Sequence, residues 1–155
     1  MKPAVRIYRI CPAAQNTALA AFGGKGAEKF GGRWNPAGVR VAYASDSLAL
    51  ACLETLVHIT PYPRTFPLSL YYYADIPDRL IERPATLPHG WNAPTGGADT
   101  KEFGARFAAE MRSVVLAVPS AILPVGVNFV VNPLHPGFDP ATIKGPFPFV
   151  FDSRL

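Results

Sequence analysis

Seventeen prolines and 13 glycines among 155 residues are the feature that most constrains how this chain folds. Proline interrupts helices and central strands, and glycine favours tight turns, so many short elements joined by stiff turns are expected. The two types together make 30 of the 155 residues, below the roughly 25–30% typical of low-complexity chains. Because 49% of the residues are hydrophobic and 17% are charged, we expect one compact domain over residues 1–155.

The hydrophobic pattern between these breaks predicts about six short strands. They are rich in β-branched and aromatic residues and cover residues 5–10, 39–44, 68–74, 114–118, 128–131 and 147–151. Residues 23–38 and 78–97 contain many glycines and prolines and are predicted to be loops.

Two or three helices accompany these strands. Ser45 is a plausible N-cap with Asp46 in the first turn, and Pro61 ends this helix near residue 59. A second helix is predicted over residues 100–111, with Gly104 as a weak point, whereas residues 17–22 are too short to assign. Strands and helices are segregated more than they alternate, which favours an α+β fold with small mixed β-sheets.

Charge and cysteine content limit the class of protein. The net charge is +4 without any run of five or six Lys or Arg, which favours a local anionic ligand over an extended nucleic-acid surface. Cys11 and Cys52 lack a CxxC spacing, as expected for reduced thiols in a cytoplasmic protein. Residues 114–125 are apolar but interrupted by Pro119 and Pro124, and the N-terminus lacks a signal-peptide pattern, so neither a membrane span nor secretion is expected.

The sequence FGGRWN at residues 30–35 is the first candidate for a binding site. The planar guanidinium of Arg33 suits phosphate or carboxylate, and Gly31 and Gly32 allow a ligand to approach the backbone closely. The alternative is a surface arginine in a glycine turn. Trp34 favours a loop that packs or stacks on something.

Tyr43 and Glu54 follow this loop on a predicted strand and a predicted helix. Alternation puts Tyr43 on the same strand face as Ser45, either as a core tyrosine or as one that stacks on or hydrogen-bonds a ligand. Three of the four neighbours of Glu54 at helical spacing are apolar. Its carboxylate therefore either reaches solvent at the edge of the apolar stripe or points into a cleft as an active-site acid.

Several sharper motifs are incomplete in this sequence. The glycines at positions 24 and 26 are not followed by the third glycine of GxGxxG, and the lysines nearby lack the Walker spacing. Ser120 is not in the GxSxG turn of hydrolases. The three histidines occur in unrelated contexts, and the single pair Glu54 and His58 does not make a metal site, so we expect no metal.

A longer set of residues resembles the RES-domain family. The similar segments are GKGA at 24–27, GGRWN at 31–35, VAYAS at 41–45, Leu48-Ala49, Leu53-Glu54, Val57-His58, Val118-Pro119-Ser120, Asn128, Asn132-Pro133, His135-Pro136 and FDSRL at 151–155. The resemblance extends over residues 5–155. This chain departs from it at residues 125–127, where Val-Gly-Val replaces the acidic residues frequent in the family, a difference that bears on antitoxin contact or substrate detail.

The resemblance implies a toxin of a type II toxin–antitoxin system with an ADP-ribosyltransferase-like fold. It implies NAD as substrate and no bound prosthetic group. An Xre-type antitoxin is the implied partner; it would cover the active site and provide the only link to nucleic acid, while a homodimer stays open. The catalytic residues carried over are Arg33, Tyr43 and Glu54. The implied substrate-binding residues are Arg9, Gly32, Trp34, Ser45, Ser120 and Asn128, with Trp34 expected to brace the loop.

These residues and the resemblance together suggest cleavage of the nicotinamide–ribose bond of NAD. Glu54 would bind a ribose hydroxyl and stabilise an oxocarbenium-like transition state. Arg33 would hold the pyrophosphate or a ribose near it, and Tyr43 would stack on or orient the nicotinamide. Water, phosphate and a protein side chain all stay open as acceptors. The alternatives are a non-catalytic binding module for an anionic partner such as nucleic acid, and an inactive relative kept for its partner interface.

Overall fold

The computed structural model describes residues 3–59 and 66–155, and these contain seven strands and four α-helices. The strands are Ala4–Pro12 (β1), Ala42–Ser45 (β2), Ser69–Pro77 (β3), Ile81–Glu82 (β4), Val115–Pro119 (β5), Val127–Val131 (β6) and Ile143–Phe149 (β7). The helices are Ala18–Phe22 (α1), Lys25–Phe30 (α2), Leu48–Leu56 (α3) and Ala98–Ala109 (α4). None of these helices is long and apolar enough to cross a membrane.

All seven strands belong to one sheet with the order β4-β5-β6-β2-β1-β3-β7. Every pair is antiparallel except β4 with β5, which is parallel. Strand β1 pairs with β3 over nine positions, but it shares only the registered pair Tyr8 and Ser45 with β2. The prediction of an α+β fold is confirmed, with one continuous sheet in place of several small ones.

The strand register assigns side chains to the two faces of this sheet. Tyr8, Ser45, Asn128 and Val118 are successive cross-strand partners on β1, β2, β6 and β5. Directly paired residues point the same way, so these four side chains share one face, which we term the site face. The opposite face carries most of the hydrophobic core, with α1 packed on it.

Helices α3 and α4 lie on different parts of the site face. Ala51 of α3 packs on Ile10 of β1. Phe107 of α4 packs with Leu116 of β5 and Val130 of β6. The sheet order places β2 between these two contact regions, so the side chains that β2 and β6 present to the site face lie between the two helices.

Several element boundaries differ from the predictions. Ser47, rather than Ser45, caps α3, because its hydroxyl accepts the Leu50 N–H at 3.0 Å while Ser45 is still paired within β2. The predicted loop 23–38 contains α2, which follows Gly24 in a left-handed conformation with φ 76°. The predicted loop 78–97 contains the short strand β4, and β7 starts at residue 143, ahead of the predicted 147. Pro61 lies outside the described residues.

Candidate active site

Glu54 on α3 is held by the ends of two strands. Its Oε1 atom accepts two hydrogen bonds, at 2.7 Å from Ser120 Oγ and at 2.7 Å from Asn128 Nδ2. Ser120 is fully buried, whereas Glu54 is partly exposed. Within the described residues, Oε2 of Glu54 accepts no hydrogen bond. One carboxylate oxygen is thus fixed by the protein and the other is available to a ligand.

The turn after β5 determines where the Ser120 proton points. The backbone N–H groups of Ile122 and Leu123 donate to Ser120 Oγ at 3.1 and 3.0 Å. A hydroxyl has one donor and two acceptor positions, so the two amides occupy both acceptor positions and the proton is left for Glu54. A nucleophilic Ser120 would have to become an alkoxide beside a carboxylate, and this arrangement does not favour that role.

Ser45 holds Asn128 from the other side. Its Oγ donates to Asn128 Oδ1 at 2.8 Å, and the two residues are direct cross-strand partners. Ser45 is only 3% exposed, so water has little access to this bond. The structure therefore brings together four predicted site residues, Ser45, Asn128, Glu54 and Ser120, which we term the Glu54 cluster.

Tyr43 holds the loop of residues 31–35 through its hydroxyl group. That hydroxyl donates to Asn35 Oδ1 at 2.6 Å and accepts the backbone N–H of Trp34 at 3.1 Å. Burial raises the pKa of Tyr43, so the phenol stays protonated at neutral pH. Because the hydroxyl is committed to the loop, Tyr43 offers a ligand its ring more readily than its oxygen.

The guanidinium of Arg33 holds a neighbouring proline-containing loop. Its Nη1 donates to the carbonyl oxygens of Trp91 and Ala93 at 2.9 and 2.7 Å, and its Nη2 donates to that of Pro94 at 3.3 Å. These three acceptors are neutral, and over residues 3–59 and 66–155 no carboxylate pairs with Arg33, so its positive charge is uncompensated there. Binding of pyrophosphate by Arg33 stays a prediction.

Helix α4 packs directly on the loop of residues 31–35. A Cβ at Gly104 would clash with the carbonyl oxygen of Trp34 and would lie 2.7 Å from its carbonyl carbon, so only glycine permits this approach. Lys101 Nζ donates to the carbonyl oxygen of Gly32 at 2.5 Å, and the ring of Phe103 meets Trp34 edge-on with centroids 5.9 Å apart. Trp34 is 3% exposed, a position that suits bracing of the loop and leaves little surface for a substrate.

Gly32 packs against side chains that leave no room for a Cβ atom. A Cβ at this position would lie 2.7 Å from the Tyr43 hydroxyl oxygen and 3.0 Å from Asn35 Oδ1. A side chain here would therefore disturb the hydrogen bond between those two residues. Packing explains why residue 32 is glycine, and contact of Gly32 with substrate stays a prediction.

Arg9 lies apart from the Glu54 cluster. It alternates with Tyr8 along β1, which places it on the opposite face of the sheet. Its Nε and Nη1 atoms donate to the carbonyl oxygens of Ala21 and Tyr43 at 2.6 and 3.0 Å. Burial lowers the pKa of this guanidinium. These contacts tie α1 to β2 where the pairing of β1 with β2 ends, and they lend no support to the predicted substrate contact.

The Glu54 cluster and the Arg33 loop are neighbours along β2. Tyr43 and Ser45 are two residues apart on the site face, a distance of about 7 Å in strand geometry. A carboxylate, an aromatic ring and a cation therefore succeed one another across this region, an arrangement that suits an elongated ligand with anionic and aromatic parts. A cavity of about 240 Å³ lies on the opposite face and is lined by core residues such as Ile7, and it includes none of the predicted site residues.

Three residues that organise the site were missed in the sequence. Asn35 is fully buried, and its Nδ2 contacts three backbone carbonyl oxygens at 2.8 to 3.1 Å. A polar residue before proline in a glycine-rich loop was a usable signal for this role. Gly104 in the middle of a predicted helix was a signal for close backbone approach, whereas nothing in the sequence distinguishes Lys101 from other surface lysines.

Known proteins resemble this chain over nearly its whole length. In the M. tuberculosis MbcT-MbcA toxin–antitoxin complex, a chain of similar fold gives a TM-score of 0.71 at 19% identity, covering 96% of this chain and 86% of that one. The protein named Prs ADP-ribosylating toxin of Sphingobium sp. (strain YBL2) is 35% identical, covering 96% of this chain and 94% of its own length. Proteins named Toxin Res from Yersinia enterocolitica and Pseudomonas putida are 33% and 37% identical, covering 96% and 90% of this chain and 98% and 95% of their own lengths. The RES domain model matches residues 6–152, and this chain therefore belongs to the RES domain family.

Proposed function

We propose that this protein is the toxin of a toxin–antitoxin pair and that it cleaves the nicotinamide–ribose bond of NAD. The observation that carries the proposal is the Glu54 carboxylate, with Oε1 held by Ser120 and Asn128 and Oε2 available to a ligand. The relatives named Toxin Res support the role as a toxin, and the one named ADP-ribosylating toxin supports chemistry of the ADP-ribosyl group.

The proposed reaction breaks the bond between ribose C1′ and the nicotinamide nitrogen. Nicotinamide leaves with the electron pair of that bond and becomes neutral, so no strong acid is needed. The ribose develops oxocarbenium character, and a fixed carboxylate stabilises that charge while binding a ribose hydroxyl through its other oxygen. The acceptor then forms the new bond at C1′ and releases its proton to solvent.

Arg33 and Tyr43 are proposed to bind the rest of NAD. The uncompensated charge of Arg33 attracts the pyrophosphate, which is a stronger acceptor than the neutral carbonyl oxygens of Trp91 and Ala93 that the guanidinium now contacts. The ring of Tyr43 is the part that can stack on nicotinamide, because its hydroxyl is bonded to the loop.

The acceptor is proposed to be a protein side chain, with water and phosphate as competing acceptors. The support is the name of the Sphingobium relative, which describes ADP-ribosylation of Prs. An antitoxin of the Xre type is proposed as the partner that covers the active site. The similar fold in the MbcT-MbcA toxin–antitoxin complex supports an antitoxin partner of some kind.

The test is incubation of the purified protein with NAD, with chromatographic measurement of nicotinamide and mass analysis of the second product. Parallel reactions contain no added acceptor, inorganic phosphate, or a Prs protein. We expect nicotinamide release in all productive reactions, and the second product then identifies the acceptor. Absence of nicotinamide release in every reaction, including one with a lysate of the host cell, would refute NAD cleavage.

A further inference from the structure

We infer that Asn128, held by Ser45, is a positioning residue that fixes the Glu54 carboxylate, and that orientation of Glu54 rather than substrate binding is the role of both residues. The inference rests on the proposed function and revises the substrate-binding roles expected for Ser45 and Asn128.

The Glu54 carboxylate and the Ser45 hydroxyl together fix the orientation of the Asn128 amide. An amide oxygen only accepts hydrogen bonds, so the 2.8 Å contact requires Ser45 Oγ to donate to Asn128 Oδ1. With Oδ1 directed to Ser45, the Nδ2 group is directed to Glu54 Oε1 at 2.7 Å. The opposite amide orientation would bring two acceptor oxygens together at that distance. The Glu54 carboxylate, which only accepts hydrogen bonds, excludes that orientation, and Ser45 holds the remaining one by donating to Oδ1.

Asn128 and Ser120 act on the same oxygen of Glu54. Both donors lie 2.7 Å from Oε1, and the Ser120 proton is directed there by two backbone amides. Two donors with fixed directions hold the carboxylate plane and concentrate its protein contacts on Oε1. Oε2 is therefore the oxygen that meets the substrate, and the side chain enters the reaction already oriented.

Within the described residues, both side-chain hydrogen bonds of Asn128 stay within the Glu54 cluster. Its Oδ1 is bonded to Ser45, and its Nδ2 is bonded to Glu54. Ser45 is almost fully buried between its sheet neighbours, which leaves its hydroxyl no surface for a ligand. These contacts assign both residues to the orientation of Glu54.

Asn128→Asp is the most informative variant because it changes the charge at an unchanged shape. It replaces the donor at 2.7 Å by a second carboxylate oxygen, and two carboxylates this close share a proton at higher pH than either would alone. The other titratable groups around Glu54 are Tyr8 opposite Ser45, Tyr43 and Asp46 beside Ser45 in the chain, Cys52 on α3 and His58 in the turn after α3. All of them are unchanged in this variant, and β5 and β6 carry none.

The experiment compares wild type, Asn128→Asp, Asn128→Ala, Ser45→Ala and Ser45→Thr in steady-state NAD cleavage over a range of pH. Ser69→Ala is the matched control, since Ser69 is a buried strand serine whose hydroxyl donates to the Pro67 carbonyl oxygen. We expect Asn128→Ala to lower kcat by about 100-fold with little change in KM, because the carboxylate loses its orientation. Ser45→Ala lowers kcat by a smaller factor, and Ser45→Thr restores it. Asn128→Asp moves the acid limb of the pH profile to higher pH.

A second readout separates this inference from the proposed function. The protein contains five glutamates, so the side-chain ¹³C carboxyl signal of Glu54 is assigned by its loss in Glu54→Gln, and its titration is followed without NAD. We expect the Asn128→Asp variant to titrate this signal at higher pH than wild type, whether or not NAD is cleaved. An unchanged titration, or a rise in KM at constant kcat in Asn128→Ala, overturns the inference. Absence of nicotinamide release by wild type instead overturns the proposed function.

Discussion

Replacement of Gly104 by alanine distinguishes the role of this residue in the folded protein from its intrinsic helix preference. Gly104 lies in the interior of α4, where glycine is about 1 kcal/mol less favourable than alanine. On helix preference alone, Gly104→Ala should therefore stabilise the protein. The contact between α4 and the loop at Trp34 reverses this expectation.

The size of the effect follows from the geometry of that contact. A Cβ at Gly104 would lie 2.7 Å from the carbonyl carbon of Trp34. The carbonyl oxygen of Trp34 would lie closer still, and carbon atoms pack at about 3.5–4.0 Å, so α4 and the loop must separate by more than about 1 Å. Overpacking of this kind costs about 1–3 kcal/mol, and the movement also weakens the bond from Lys101 to Gly32. We expect a net loss of about 1–3 kcal/mol, since the lost loop contacts offset the gain in helix preference.

The assay is urea unfolding followed by tryptophan fluorescence, combined with NAD cleavage. Gly26→Ala is the matched control, because Gly26 lies in α2 and a Cβ there meets nothing within 4 Å. The control should gain about 0.5–1 kcal/mol. Gly104→Ala should unfold at lower urea with an unchanged slope and should lose NAD cleavage, since the loop that carries Arg33 moves. Equal or greater stability than wild type, with full activity, would refute the packing argument.

Three further variants test the loop of residues 31–35. Asn35→Ala leaves the carbonyl oxygens that Asn35 contacts unpaired and should lower the free energy of unfolding by about 2–3 kcal/mol in urea unfolding; a change near zero contradicts its bracing role. Burial raises the pKa of Tyr43 above its ordinary 10.0. The protonated phenol therefore favours the folded state fully below about pH 10, and the free energy of unfolding falls as pH rises beyond it. Wild type should therefore lose stability more steeply above pH 10 than Tyr43→Phe, and parallel curves would exclude Tyr43 as the cause. Arg33→Lys keeps the charge but not the planar fork and should raise KM for NAD roughly tenfold, about the effect of one charged hydrogen bond, whereas exposed Arg79→Lys should leave it unchanged.

The fold class could be predicted because strand residues and turn residues are well separated in this sequence. Short elements were harder to locate, because contacts distant in sequence decide them. Strand β4 has only two residues and exists through its pairing with Val115 and Leu116. Ser45 is the N-cap that the sequence predicts for α3, but its pairing with Asn128 keeps it in β2, and Ser47 caps the helix instead.

The candidate site was only partly predictable, because it too depends on contacts between residues distant in sequence. Glu54 stood out because an acid beside an apolar helix face needs partners, and Ser120 and Asn128 are those partners in the structure. Their convergence depends on three separate elements, so spacing alone could not reveal it. The family resemblance supplied Ser120 and Asn128 as site residues, but the hydrogen bonds indicate that both act on Glu54.

The rate of nicotinamide release by Glu54→Gln tests the central claim most directly. The variant keeps the shape of the side chain and removes its charge, while exposed Glu102→Gln on α4 makes the same chemical change away from the Glu54 cluster. If Glu54 stabilises the developing ribose cation, Glu54→Gln should lower kcat by about 100- to 1,000-fold, with Glu102→Gln close to wild type. Equal rates for Glu54→Gln and wild type, in folded protein of normal stability, would contradict the proposal that this carboxylate carries the reaction.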